Sequence, residues 1–263
     1  MDKRSANMLV KVQRRILKSW SRQLLLILNV VIQIEGQQHA CGEEGCLIVA
    51  NHVSWLDIIV LNAIHPSRFI AKSEVRDWPL IGWLCRRCGT VFIERALRQN
   101  ASMINRHISL LLKQDVCIGL FPEGTTTDGI QVGHFHSALI QSAIDAGTRL
   151  LPIALRYQDE ENKPSSAAAF VGDMTLAQSI WQILRCTRQN ALFVYTPALM
   201  ADNANRRVLA LAAHEAISQV LRTIATGRQT VIQQQVSAFP KTRISSRSAY
   251  ALLVDPLLNQ LPK

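Results

Sequence analysis

The sequence predicts an α/β fold: a single domain with a mixed, largely parallel sheet flanked by helices, preceded by a helix near the N terminus. Short apolar runs that suit buried strands alternate with longer amphipathic stretches that suit helices. The 263 residues are enough for one large core, and no internal repeat is visible. We expect a helical segment at 1–34, the α/β domain at 35–228 and a loosely ordered tail at 229–263.

The composition indicates an anionic membrane surface as partner. Lys and Arg number 29 against 19 Asp and Glu, which gives a formal net charge of +10, and such a surplus attracts anionic partners. The mean hydropathy is positive, at +0.11, and 48% of the residues are hydrophobic. No zinc-finger, RRM or KH signature accompanies the charge, so we expect no nucleic-acid partner.

The N-terminal segment carries much of this charge. Its basic residues alternate with apolar ones, as in an amphipathic helix at a membrane interface: Lys11, Arg14, Arg15, Lys18 and Arg22. The apolar run at 24–34 is shorter than the roughly twenty residues that cross a bilayer. We therefore expect this segment to lie in the interface or to dip into one leaflet. A helix that only caps the domain core is the alternative.

The elements of the domain follow in order. Strands are predicted at 32–36, 46–50, 68–72, 90–93, 116–120, 150–155 and 191–195. Helices are predicted at 54–63, 100–114, 135–146, 175–184 and 205–226. Pro152 predicts that its strand lies at an edge or contains a bulge. Asp173 is a candidate cap for the helix that follows it.

His52 and Asp57 lie between a predicted strand and a predicted helix. Five residues apart, they would point to different sides of one regular helix, so we expect His52 in the loop and Asp57 in the first helical turn. The carboxylate can then fix the imidazole tautomer, which leaves the other ring nitrogen to accept a proton from a hydroxyl. The heptapeptide fits equally well with a helix-capping segment in which the histidine is only a hydrogen-bonded polar residue without a catalytic role. Ser54 is read as a helix cap rather than a nucleophile.

Four ordered motifs resemble the glycerolipid acyltransferase family, whose founding members acylate lysophosphatidic acid. They are Asn51-His52-x4-Asp57, Gly89-Thr-Val-Phe92-Ile-Glu-Arg95, Phe121-Pro-Glu-Gly-Thr125 and Leu151-Pro152-Ile153. The resemblance covers roughly residues 35 to 200 and is far more specific than any one motif. It implies transfer of a fatty acyl group from a thioester donor to the free hydroxyl of a lysophospholipid, most simply 1-acyl-sn-glycerol-3-phosphate, which yields phosphatidic acid.

The resemblance also implies roles for individual residues. His52 is the expected general base and Asp57 orients it. The expected substrate-binding residues hold the acceptor's phosphate and glycerol: Lys72, Arg95, Glu123, Gly124 and Thr125. Backbone N–H groups near Gly124 and in the helix after Asn51 are candidates for stabilising the oxyanion. No cofactor or metal is expected, since acyl-CoA or acyl carrier protein acts as co-substrate. The expected location is the cytoplasmic face of the cell inner membrane, with peripheral or monotopic attachment.

Two departures from the family pattern affect the acceptor. Many members have Arg after the Gly-Thr pair and a Lys after a later Phe, whereas this chain has Thr126 and His136. Because both lost cations would face an anionic headgroup, a lyso-aminolipid of the lyso-ornithine type becomes a competing acceptor. A non-catalytic, peripheral lipid-binding protein is the alternative of a different class, although binding alone requires neither His52 nor Asp57. A cysteine-dependent hydrolase is disfavoured, since no Gly-x-Ser-x-Gly elbow or familiar cysteine context is present.

The cysteines allow a minor alternative. Cys85 and Cys88 have the spacing of zinc ligands, and Cys41 with Cys46 could form the other half of such a site. Cys46 and Cys117, however, lie in strand-like apolar runs, where a free cysteine behaves as a small buried hydrophobe. No cleavable signal peptide is apparent, so reduced thiols are expected.

Overall fold

A mixed sheet forms the centre of the fold. The computed structural model describes residues 3–36, 45–77, 82, 86, 90–93, 101–202 and 204–226. The strands are β1 (Val30–Glu35), β2 (Cys46–Ala50), β3 (Arg68–Lys72), β4 (Val91–Ile93), β5 (Ile118–Leu120), β6 (Arg149–Gln158), β7 (Gln189–Tyr195) and β8 (Leu199–Met200). Within the described residues they form one eight-stranded sheet in the order β1-β7-β6-β2-β5-β3-β4, with β8 paired to β6.

Most strand pairs are parallel. The pairs β1–β7, β2–β6, β2–β5, β3–β5 and β3–β4 are parallel, whereas β7 and β8 run antiparallel to β6. Parallel neighbours need crossover connections, which helices supply. The predicted α/β class with a mixed, largely parallel sheet is therefore confirmed.

Helices cover both faces of the sheet. They are α1 (Lys3–Ile27), α2 (Leu56–Ile64), α3 (Ala101–Leu112), α4 (Gln141–Ala146), α5 (Leu176–Arg185) and α6 (Arg206–Ala225). Buried residues of α1, α2 and α5 share one core cluster, and those of α3, α4 and α6 share the other. Alternate residues of β2 join the two clusters, as expected for a strand that is buried on both faces.

The predicted helical extent of the N-terminal segment is too long. α1 ends at Ile27, Asn29 adopts a left-handed φ of 54°, and β1 begins at Val30. Asn tolerates this conformation, and the β-branched residues after it favour a strand. Residues 30–34 thus belong to the sheet, where β1 pairs with β7. The boundary between the N-terminal segment and the domain stays a prediction, as does the tail at 229–263, which lies outside the described residues.

The predicted edge position of Pro152 is wrong. β6 lies inside the sheet, between β2 and β7, and Pro152 pairs with Val49. Its carbonyl accepts the backbone N–H of Thr196 at 3.2 Å and the Thr196 hydroxyl at 2.8 Å. Because the N and O atoms of one strand residue point to the same side, the missing N–H faces the break between β7 and β8. The proline therefore costs the sheet no ladder bond.

Two helix starts also differ from the predictions. The stretch at 135–146 forms a short 3₁₀ turn at Ala138–Ile140 before α4, although it ends at Gly147 with a φ of 65°, as expected. Thr175, not Asp173, caps α5, through a capping box with Gln178. Thr175 is the cap because Gln178, three residues later, accepts its backbone N–H, which Asp173 has no matching residue to do.

One helix of the described residues, α6, is long and apolar enough by length and composition to cross a membrane. It packs against the sheet through one face, where Leu209, Ala213 and Ile217 are buried. A core helix meets the same length and composition test.

Candidate active site

His52 and Asp57 form a hydrogen-bonded pair at the end of β2. β2 ends at Ala50 and α2 begins at Leu56, so His52 lies in the intervening loop and Asp57 in the first helical turn, as the sequence predicts. His52 Nδ1 lies 2.9 Å from Asp57 Oδ2. The His52 side chain is 19% exposed and that of Asp57 is fully buried. A partly exposed imidazole is thus held by a carboxylate that water does not reach.

Asp57 contacts three further donors. Its Oδ2 accepts the backbone N–H groups of Val53 at 2.7 Å and Ser54 at 2.9 Å, and its Oδ1 accepts the Tyr157 hydroxyl at 2.7 Å. Burial raises the pKa of Tyr157 well above its usual value, and the Asp57 charge raises it further, so this hydroxyl stays protonated and donates. Such donors compensate the desolvation of a buried carboxylate. Tyr157, on β6, was not predicted, because no local pattern links it to Asp57.

Aromatic rings hold the plane of the imidazole. The Phe121 ring stacks on His52 with centroids 4.0 Å apart and planes 9° apart. The Phe69 ring stacks in turn on Phe121, with centroids 5.6 Å apart and planes 16° apart. Because the stack restricts one rotation of the His52 ring and Asp57 restricts the other, the ring nitrogen not bonded to Asp57 has a defined direction.

Asn51 anchors the start of the loop. Its side-chain amide donates to the Leu155 carbonyl at 2.9 Å and its side-chain oxygen accepts the Leu155 N–H at 2.8 Å. The Asn51 side chain thus gives Leu155 of β6 the two hydrogen bonds that a further residue of β2 would otherwise supply. This paired contact fixes the residue next to His52 relative to the central strand.

Glu123 bridges two loops through its carboxylate. Oε1 accepts the backbone N–H of His52 and Oε2 accepts that of Gly133, both at 2.7 Å. Burial raises the pKa of the Glu123 carboxyl, and the hydrogen bonds from His52 and Gly133 oppose that rise. A Cβ at position 133 would lie 2.6 Å from Oε2, which explains a glycine there. Both oxygens bind the protein's own backbone, and the predicted contact with an acceptor stays a prediction.

Gly124 and Thr125 lie exposed at the edge of the site. Gly124 has a left-handed φ of 71°, which suits glycine, and its N–H donates to the Phe121 carbonyl at 3.2 Å. At the start of α2 the Leu56 N–H donates to the Ser54 hydroxyl oxygen at 3.3 Å, which agrees with a capping role for Ser54. The N–H groups of Gly124 and Leu56, two of the candidate oxyanion donors, are thus bonded within the chain.

The two predicted phosphate-binding cations are only partly described. Arg95 lies outside the described residues, and of Lys72 only the backbone, at the end of β3, is described. Arg76, nearby in the sequence, lies with its guanidinium 5.2 Å from the centre of the Phe92 ring. Cys41, Cys85 and Cys88 also lie outside the described residues. Cys46, in β2, and Cys117, just before β5, are buried, as predicted.

The two residues that depart from the family pattern lie in the segment after β5, which is bonded to the loop that carries His52 through the Thr127 N–H and the His52 carbonyl. The Thr126 hydroxyl donates to the Phe170 carbonyl, and the Phe170 N–H donates to the Val53 carbonyl at 2.9 Å. His136 is exposed, and its N–H donates to the Pro122 carbonyl at 2.9 Å. Thr126 thus joins the segment around Phe170 to the loop after β5, and Phe170 itself joins that segment to the loop that carries His52.

Comparison with known proteins identifies relatives of this chain. Residues 31–156 match the family model described as Acyltransferase. The chain is 39% identical to the 1-acyl-sn-glycerol-3-phosphate acyltransferase of Neisseria meningitidis, over 62% of this chain and 63% of that enzyme, so the match spans less than two thirds of the relative. It is 33% identical to the lyso-ornithine lipid O-acyltransferase of Pseudomonas aeruginosa, over 83% of each chain.

A solved structure shares the fold. The crystal structure of the 1-acyl-sn-glycerophosphate acyltransferase PlsC from Thermotoga maritima superposes with a TM-score of 0.63 and 21% sequence identity, covering 85% of this chain and 83% of that one. At this identity the match speaks for the fold. The Pseudomonas relationship extends over most of both chains, and the matched region at 31–156 contains His52, Asp57 and Glu123. This chain therefore belongs to the acyltransferase family.

Proposed function

We propose that the protein transfers a fatty acyl group from a thioester, acyl-CoA or acyl carrier protein, to the free hydroxyl of a lysophospholipid. The observation that carries this proposal is the His52–Asp57 contact of 2.9 Å in a partly exposed loop. A buried carboxylate that orients a reachable imidazole is the arrangement required of a general base. A protein that only binds lipid has no need of it.

The reaction follows from this arrangement. The His52 nitrogen that does not face Asp57 accepts the acceptor's hydroxyl proton while the oxygen attacks the thioester carbonyl. The tetrahedral intermediate then expels the thiolate, and the imidazolium returns the proton to the sulfur. Asp57 stabilises the imidazolium throughout. The acyl group passes directly to the acceptor, without a covalent enzyme intermediate and without a cofactor.

The first candidate acceptor is 1-acyl-sn-glycerol-3-phosphate, which would give phosphatidic acid. The Neisseria meningitidis relative carries this substrate in its name. In this proposal Arg95 and Lys72 bind the phosphate, since cationic side chains suit that group. Glu123, Gly124 and Thr125 line the glycerol side, where Gly124 and Thr125 are exposed.

A lyso-ornithine lipid is the second candidate acceptor, favoured by one observation. Thr126 stands where many family members have Arg, and its hydroxyl is already bonded to the Phe170 carbonyl. The position therefore offers a headgroup neither charge nor a free donor. The Pseudomonas aeruginosa relative is named for this acceptor.

The acceptor and product are membrane lipids, so the proposed location is the cytoplasmic face of the inner membrane. α1 supports this location because it exposes apolar side chains such as Met8 and Ile16 on a helix that also carries basic residues. Anionic headgroups would attract those cations.

The deciding experiment measures acyl transfer by the purified full chain from labelled acyl-CoA and labelled acyl carrier protein. The acceptors are 1-acyl-sn-glycerol-3-phosphate, lyso-ornithine lipid and a neutral lysolipid, each in mixed micelles. We expect His52→Ala to lower kcat on the order of a thousandfold, and the control His107→Ala, at an exposed position of α3, to leave it unchanged. Full activity of the His52→Ala variant would refute the proposed mechanism, and a wild-type chain inactive on every pair would refute the proposed reaction.

A further inference from the structure

α5 (Leu176–Arg185) has its side chains in an unusual arrangement for a helix at a protein surface. It buries Ser179 and Ile183 completely, yet Trp181 is 63% exposed and Leu184 is 49% exposed. At 3.6 residues per turn, Trp181 lies about 200° around the helix from Ser179, on the side away from the core. A helix whose only contact is with its own domain would bury the indole and expose the hydroxyl.

The charged side chains on α5 and just beyond its end are basic. The sequence of α5 contains no acidic residue, and Arg185 in its last turn and Arg188 just beyond it are exposed. Val171, exposed in the loop before α5, adds a third apolar side chain. Asp173 in the same loop is the nearest acidic residue in the sequence. Surfaces that bind the headgroup region of an anionic bilayer combine exposed Trp and Leu side chains with neighbouring arginines.

α1 exposes apolar side chains on the same side of the sheet. Leu25 of α1 and Ile183 of α5 belong to the same core cluster, so the two helices cover one face of the sheet. On α1, Ile16 and Leu26 are exposed. The outer side of this helical layer thus presents apolar and basic groups on two separate helices.

α5 is hydrogen-bonded directly to the loop at 51–55, which carries His52. The Trp55 indole N–H donates to the Ser179 hydroxyl at 3.0 Å, and Trp55 lies between His52 and Asp57 in the sequence. The inward-facing serine is therefore explained as the attachment point of the loop. A bilayer that holds the outer face of α5 would lie one helix away from the site that receives the lipid.

We propose that α5 is a membrane-docking helix, with Trp181, Leu184 and Val171 inserted among the lipids of an anionic bilayer and Arg185 and Arg188 at their phosphates. This inference names a contact of the membrane partner in the proposed function and so rests on that function for its purpose. The docking itself is measured without any acyl transfer. A surface for an acidic carrier protein is the competing occupant, and the experiment separates the two.

The test is vesicle binding of the full chain by co-sedimentation, with phosphatidylethanolamine vesicles that contain phosphatidylglycerol. We expect Trp181→Ser/Leu184→Ser to weaken binding on the order of tenfold. The matched control is Met103→Ser/Leu110→Ser on α3, two side chains of similar exposure, 59% and 51%, on the opposite face of the sheet. The control should bind as the wild type does.

A second variant keeps the test independent of apolar packing. Arg185→Gln/Arg188→Gln should weaken binding to the anionic vesicles, by less as salt is raised, and should leave the binding to phosphatidylcholine vesicles unchanged. Thermal melts of both variants that match the wild type exclude a folding defect.

Transfer between a short-chain donor and a short-chain acceptor, both monomeric in solution, distinguishes a docking defect from a catalytic one. We expect this rate to stay at the wild-type value in both α5 variants, while transfer to a long-chain acceptor in vesicles falls. Wild-type vesicle binding by both variants overturns the docking proposal. If both variants bind vesicles as the wild type does and their KM for acyl carrier protein is raised, the surface binds the carrier protein instead.

Discussion

Tyr157 donates its hydroxyl hydrogen to Oδ1 of Asp57 over 2.7 Å, although 100 residues separate the two in the chain. The contact joins the far end of β6 to the first turn of α2. Since the other oxygen of Asp57 already serves His52, Val53 and Ser54, Tyr157 supplies the donor for the remaining one. The orientation of His52 thus depends on a residue outside its own loop.

Replacing Tyr157 by Phe should lower kcat about tenfold with little change in KM. The buried Oδ1 atom would lose its donor, which costs about 1–3 kcal/mol, and the carboxylate could then rotate away from His52. Steady-state kinetics with one donor–acceptor pair measures the effect. The Tyr157→Phe change should have a smaller effect when Asp57 is already Asn, because the two residues act through one contact. Additive effects of the two changes would contradict a shared role.

Glu123→Gln should lower kcat by about tenfold to a hundredfold. A Gln side chain has one acceptor oxygen, so either the His52 or the Gly133 N–H would face an amide NH₂ group and lose its partner. The loop that carries His52 would then shift. A role limited to acceptor binding would instead raise KM and leave kcat unchanged, so the split between kcat and KM decides the question.

Gly133→Ala provides an independent check of the same contact. The added Cβ would lie 2.6 Å from Glu123 Oε2, so the carboxylate must move, and we expect kcat to fall as it does for Glu123→Gln. The three atoms nearest to a Cβ at position 133 all belong to the Glu123 side chain. Unchanged kinetics in Gly133→Ala would show that the position of Glu123 is unimportant.

The sequence predicts those parts of the site that are local in the chain. The apolar run of β2, the Asn after it and the five-residue spacing of His52 and Asp57 are enough to predict a strand, a loop and a helical turn, because each depends on neighbouring residues. The same holds for the buried strand before Glu123. In the structure β2 and β5 are parallel neighbours, so the two loops that follow them lie at the same edge of the sheet.

Contacts between distant segments were not predictable in this way. Tyr157 lies beyond the strand predicted at 150–155 and within the longer strand observed, β6. The two backbone partners of Glu123 depend on how two loops fold over each other. Pro152 suggested an edge because a proline usually costs a ladder bond, but the gap between β7 and β8 removes that cost. A short strand such as β8, of two residues, leaves no periodicity to detect.

Thr126→Arg should shift acceptor preference toward 1-acyl-sn-glycerol-3-phosphate over lyso-ornithine lipid, with about a tenfold change in the ratio of kcat/KM values. A guanidinium at this position could donate two parallel hydrogen bonds to the phosphate. Thr126→Val is the matched control, because it removes the bond to the Phe170 carbonyl without adding charge. Equal ratios in the two variants would mean that this position does not face the headgroup.

We expect protonation of His65 to lower the stability of the fold in mild acid. Its Nε2 atom lies 2.5 Å from the Tyr195 hydroxyl oxygen. Burial lowers the pKa of His65 below its usual value near 6.5, with a smaller opposing effect from Cys117 and a further lowering by Lys18. The unfolded chain therefore binds the proton more tightly than the folded chain does. Stability due to neutral His65 is fully present above about pH 6.5 and is lost as the pH falls through the lowered folded value.

The urea midpoint of unfolding, measured from about pH 8 to about pH 5, tests this expectation. We expect the wild-type midpoint to fall in the acidic half of the range and the His65→Gln variant to lose most of that slope, since Gln cannot bind the proton. His107→Gln, at an exposed position of α3, should keep the wild-type slope. If His65→Gln and the wild type show parallel curves, other groups cause the acid sensitivity and His65 does not contribute to it.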